Sequence, residues 1–104
     1  MAELRYQLQL LASVHDERKQ LPGVIRQRLK RMIDELAQNP RPDSSIPLQL
    51  SFEVPDWELR RLRVDQWRIV YAIDEEFKQV AILGIRKRPP YDYGDLEQLI
   101  EELE

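Results

Sequence analysis

The sequence predicts an α+β domain over residues 1–104, with helices covering one face of an antiparallel four-stranded sheet in the order β-α-α-β-β-β-α. Three observations predict it. Residues 57–87 read as three successive β-rich runs separated by short polar connections, residues 24–38 carry apolar side chains at helical spacing, and residues 96–103 form a second amphipathic stripe. At 104 residues, 42% hydrophobic and 34% charged, the chain has enough apolar content for one modest core and too many charges for a membrane protein.

The elements follow in order. Tyr6, Leu8 and Leu10 alternate with polar neighbours and predict a half-buried first strand over residues 6–11. Ser13 then caps a short helix over residues 14–20, with Asp16 and Glu17 in its first turn. Leu21-Pro22-Gly23 interrupts it, and Ile25, Leu29, Met32, Ile33 and Leu36 define one stripe of a longer helix. Two prolines and several turn formers in residues 39–45 stop that helix. Residues 46–52 add a short extended piece before Pro55-Asp56. Strands are expected at 57–64, 66–74 and 78–87, joined by hairpin turns at Asp65-Gln66 and residues 74–77. In the middle strand Trp67, Ile69, Tyr71 and Ile73 share a buried face, and Arg68, Val70 and Ala72 share one that is open near Arg68. Pro89-Pro90 ends the sheet, and Asp95 caps a last helix carrying Leu96, Leu99, Ile100 and Leu103.

Composition excludes whole classes of chemistry. With no Cys and one His, disulfides, thiol catalysis, cysteine metal clusters and sites needing two imidazoles are absent. No run approaches the roughly 20 apolar residues of a membrane span, and the N-terminus lacks a basic flank followed by an apolar run, so a cytoplasmic protein with no membrane partner is expected. Net charge is −3, but six acids and no Lys or Arg lie beyond residue 88, leaving residues 1–88 at +3. That average is below the level of a strong nucleic-acid binder. There is no glycine-rich phosphate loop and no nucleophile elbow.

What remains is a concentration of arginine in the sheet: Arg60, Arg61, Arg63, Arg68, Arg86 and Arg88, beside Lys87. In a hairpin array the start of the middle strand lies near the end of the first and the end of the third. Arg61 or Arg63 would thereby meet Arg68 and Arg86 in one basic patch. Planar, permanently charged forks suit a phosphate that gains charge in a transition state. The alternative is that these arginines pair with Glu58, Asp65, Asp74 and Glu75, or cover apolar surface with their stems. His15, on the short helix, is read as a surface or packing residue, and Arg26, Arg28, Lys30 and Arg31 as a solvated helix face.

The segment Trp67-Arg68-Ile69-Val70-Tyr71 and its upstream strand resemble the central strands of the RelE/ParE superfamily of bacterial toxins. Gly84-Ile85-Arg86-Lys87-Arg88, followed by Tyr91 and Tyr93, resembles that family's last strand, which ends in Gly-x-Arg with a tyrosine soon after. Leu21-Pro22, the long helix and Asn39-Pro40 occur in the family's order, so the resemblance spans nearly the whole chain and leans toward RelE.

The resemblance implies the toxin of a type II toxin-antitoxin pair, with a cognate protein antitoxin as partner and DNA met only through the antitoxin complex. For a RelE-like member it implies ribosome-dependent mRNA cleavage and inhibition of translation. The endoribonuclease would be metal-independent, need no cofactor, and take the RNA 2′-OH as nucleophile. The resemblance carries over Arg61, Arg68, Arg86 and Tyr91 or Tyr93 as the catalytic set; Lys87 joins them as a candidate proton carrier alongside that tyrosine, and Arg60, Arg63 and Arg88 are read as RNA contacts. A ParE-like member would inhibit DNA gyrase instead, and an inactive relative would only bind an antitoxin.

Overall fold

The computed structural model describes residues 5–49, 56–87, 96–101 and 103. Its elements are β1 (Gln7–Leu10), α1 (Ala12–Lys19), α2 (Gly23–Leu36), β2 (Ser45–Pro47), β3 (Glu58–Val64), β4 (Trp67–Asp74), β5 (Gln79–Lys87) and α3 (Leu96–Glu101). The three long strands lie within a residue of their expected limits. Each carries β-branched or aromatic side chains bounded by turn formers. Val64 pairs with Trp67, so Asp65 and Gln66 form a two-residue hairpin in which Asp65 takes a left-handed φ of 55°. The second hairpin closes on Asp74 and Gln79, one residue later than expected, with Lys78 at φ 54°.

The sheet corrects the four-stranded antiparallel expectation. It has five strands in the order β1-β5-β4-β3-β2 and is mixed, because β1 runs parallel to β5. Alternation in residues 6–11 reveals a strand but not its neighbour. The outer edge of β5 offers β1 a ladder, and Gln7 N–H donates to the Lys78 carbonyl at 2.9 Å. Within the expected extended piece, only three residues of β2 pair, antiparallel to β3.

A bulge shapes β5. Val70 pairs with Gly84 but Tyr71 pairs with Ile82, leaving Leu83 as the extra residue. Val80 and Ile82 thereby share a face with Ile85, while Arg86 shares the opposite face with Ala81 and Gln79. Strict alternation along that apolar run would not give this arrangement.

The core face carries Leu62, Ile69, Tyr71, Ile73, Ile82 and Ile85, packed with Leu29, Ile33 and Leu36 of α2. Tyr71 is fully buried, and its hydroxyl donates to the Pro40 carbonyl at 2.6 Å, fastening the end of α2 to the sheet. The second face of β4 is not open as expected. Val70 and Ala72 are fully buried, and only Arg68 and Trp67 at the start of the strand are half-exposed. Helices also lie on more than one face. α3 buries Leu99 and Ile100, and Leu103 lines a depression with Trp57, Asp74 and Gln79, which belong to the arginine side of the sheet.

Ser13 does not cap α1. The helix starts at Ala12, directly after Leu11, whose N–H bonds the Ile82 carbonyl at 3.3 Å, so the chain leaves the sheet with no room for a capping turn. Asp95, the expected cap of α3, lies outside the described residues.

Candidate functional site

Register assembles the site. Arg63 on β3, Arg68 on β4 and Arg86 on β5 lie directly opposite one another, and Arg61 lies one pleat further along, opposite Val70 and Ile46. Direct partners across a sheet share a face, so the four arginines emerge on the side away from α2. Arg61, Arg63 and Arg68 line a groove of about 520 Å³ with Ser44, Ile46 and Asp65. Like charges directly opposite in a sheet are destabilising, so this row breaks a local rule that packing alone would enforce.

The arginines are held differently. Arg68 Nη1 donates to the carbonyls of Trp67 at 2.9 Å and Asp65 at 3.1 Å, curling its guanidinium around the hairpin. Those acceptors are neutral, so its positive charge is not cancelled by them. Asp65, the acid at the groove, is bonded to Arg28 of α2. Among the described residues, Arg61 and Arg63 have no ion pair, and Arg63 is exposed. Arg86 is ion-paired: its Nη1 lies 2.7 Å from Glu17 Oε2 on α1, and its side chain is 14% exposed. Arg86 is therefore in register with Arg68, while its guanidinium lies on the α1 side of β5, outside the groove lining.

Arg60 and Lys87 do not join this group. Arg60 alternates with Arg61 onto the helix-covered face, where it bonds Glu58 Oε2 at 2.9 Å, Ser45 Oγ at 3.1 Å and the Ser45 carbonyl at 3.2 Å. Lys87 is paired with Trp67, and its ammonium sits 5.9 Å from that ring's centroid, also on the opposite face from Arg86. Arg88, Tyr91 and Tyr93 lie outside the described residues. His15 is exposed on α1, as expected.

Glu17, Ser44 and Ile46 are additions that sequence reasoning missed. Glu17 meets Arg86 across 69 positions of chain, so nothing local marks it. Ile46 sits in the expected extended piece, and its place in the groove follows only from its pairing with Arg61.

A second ionic cluster occupies the other end of the sheet and is structural in character. Arg41 bonds Glu58 at 2.7 Å and Glu75 at 2.8 Å, tying the loop after α2 to β3 and to the β4–β5 turn. Hydrogen bonding to Arg41 holds the Glu58 carboxyl below its usual range. Lys78, Tyr6 and Arg41 together hold that of Glu75 down at about 2.

The sequence profile of the ParE toxin of type II toxin-antitoxin systems (parDE) matches residues 5–89. The chain belongs to this family, within the RelE/ParE group of type II toxins. Solved structures of RelE proteins share its fold. The toxin in the archaeal RelE–RelB complex from Pyrococcus horikoshii is 23% identical, with 84% of this chain and 99% of that one covered at a TM-score of 0.73. The RelBE2 toxin-antitoxin complex from Mycobacterium tuberculosis gives 21% identity, coverage of 81% and 99%, and a TM-score of 0.67. The intact E. coli RelBE complex gives 26% identity, coverage of 79% and 95%, and a TM-score of 0.58. No curated protein sequence matches the chain.

Proposed function

We propose that this toxin cleaves mRNA on the ribosome and is neutralised by a protein antitoxin encoded with it. The observation that carries the reading is the groove lined by Arg61, Arg63 and Arg68, three permanently charged forks of which Arg63 is exposed and the other two are half-exposed. A polyribonucleotide fits such a surface, its phosphates meeting the guanidiniums and Ile46, 46% exposed, offering an apolar wall for a base. In-line attack by a 2′-OH on the adjacent phosphate forms a 2′,3′-cyclic phosphate as the P–O5′ bond breaks, and the charge that builds on the nonbridging oxygens is stabilised by Arg68 and Arg86. Removing one such donor typically costs about 10²–10³ in rate. Arginine does not deprotonate at working pH, so the proton of the 2′-OH passes to another group. We assign that step to the phenolate form of Tyr91 or Tyr93, by analogy with the family's terminal tyrosine, with the departing 5′ oxygen protonated by water. The solved toxin-antitoxin complexes of the same fold support the antitoxin partner.

A second reading, inhibition of DNA gyrase in the ParE manner, is favoured by the match of residues 5–89 to the ParE toxin profile. Toeprinting on translating ribosomes separates the two. New mRNA 3′ ends in the A site that vanish with Arg68→Ala are the expected result. Intact mRNA with accumulation of cleaved gyrase–DNA complexes would establish the second reading instead.

A further inference from the structure

The outer edge of β5 changes partner halfway along. β1 pairs as far as Leu10 opposite Ile82, and beyond that point α1 lies beside the strand. The bulge at Leu83 turns the Ile85 N–H toward this edge, where β1 has already ended. Glu17 fills the gap: its Oε1 accepts from Ile85 N–H at 3.1 Å, and its Oε2 accepts from Arg86 Nη1 at 2.7 Å. One carboxylate is thus pinned by the backbone and in turn pins the guanidinium of the next residue. Gly84 completes the seat. A Cβ there would lie 2.5 Å from Arg86 Nη1 and 2.9 Å from Cζ, so the guanidinium rests on bare backbone.

We propose that Glu17 is a positioning residue, fixing Arg86 in the orientation from which it meets the scissile phosphate; this rests on the nuclease reading above. Arginine normally loses considerable rotamer freedom when it engages a ligand. Here the backbone-anchored carboxylate and the glycine seat impose that loss during folding, before substrate arrives. The pair also lowers the repulsion that three arginines in one cross-strand row would otherwise exert. Glu17 itself touches no substrate.

Single-turnover cleavage of mRNA on programmed ribosomes tests this, using the full-length chain. Glu17→Gln keeps an oxygen for Ile85 N–H and removes the charge that holds Arg86. A misplacement of about 1 Å can cost 10²-fold, so a 10- to 100-fold lower maximal rate is expected, at an unchanged half-saturating ribosome concentration. In an Arg86→Ala background the same substitution should cost nothing further. Gly84→Ala, which displaces the guanidinium while leaving Glu17 intact, should reproduce the slow rate, and it carries the test if Glu17→Gln fails to fold. Slow guanidinium rotation at Arg86, read from its side-chain 15N signals, should be lost in Glu17→Gln. Wild-type or faster cleavage by Glu17→Gln, or a full effect persisting without Arg86, overturns the proposal. Intact mRNA with the unmodified toxin overturns the nuclease reading, and this proposal with it.

Discussion

Arg63 and Arg68 face each other across β3 and β4, a like-charge placement that costs stability. Arg63→Gln should therefore melt no lower than the parent, and by a few tenths of a kcal/mol higher, while weakening cleavage on ribosomes. If Arg63 contacts a phosphate, the logarithmic salt slope of RNA binding should fall by about 0.7 in that variant. Thermal melts and binding titrations at several salt concentrations check the pair of effects. Glu75 supplies a different residue-scale test. Its folded pKa of about 2 lies below the ordinary carboxyl value of 4.5, so its contribution is present above pH 4.5 and lost as pH falls toward 2. Glu75→Gln should flatten the stability–pH curve within that window and not above it. The group is exposed, so the difference should shrink in about 1 M salt. Denaturant titrations from pH 6 down to about pH 2 measure it.

Among the elements, α2 and β4 hold each other in place. The apolar stripe of α2 lies on Leu62, Ile69 and Tyr71, and the hydroxyl of Tyr71 reaches past the helix end to Pro40. Tyr71→Phe removes the donor and leaves a buried carbonyl unmatched, an expected loss of about 1–3 kcal/mol by equilibrium denaturation. The reading of this stripe from sequence succeeded because an apolar period of 3.6 has few structural alternatives over residues 24–38. The hairpins were legible for a related reason, since connections of two and four residues leave a strand no choice of neighbour. α1 was legible as a helix but not in its start, because its first turn is set by the ladder that Leu11 makes with Ile82 rather than by Ser13.

Across the whole molecule, charge is divided between the ends of the sheet. The Arg41, Glu58 and Glu75 cluster closes one end internally, and the Arg61, Arg63 and Arg68 groove leaves the other end facing solvent. Among the described residues, no helix is long and apolar enough to cross a membrane. An antitoxin that binds only the folded toxin should raise its stability by about 2.7 kcal/mol at a hundredfold excess over Kd, so melting temperature should climb with antitoxin concentration. A melting temperature indifferent to the co-encoded antitoxin would count against the proposed partnership.

The amino-acid pattern alone determined the helices, the three central strands, their antiparallel hairpins and the family resemblance, because each is written in local period, turn chemistry or contiguous motif. It also implied that Arg63 or Arg61 would share a face with Arg68, since hairpin register follows from turn length. Only the tertiary structure decided that β1 joins β5 in parallel, that a bulge at Leu83 turns Arg86 onto the face it shares with Arg68, and that Glu17 holds its guanidinium on the α1 side of β5. Those outcomes depend on which edge of the sheet is left unpaired and what lies beside it, a matter of contacts across nearly 70 residues that no local period encodes.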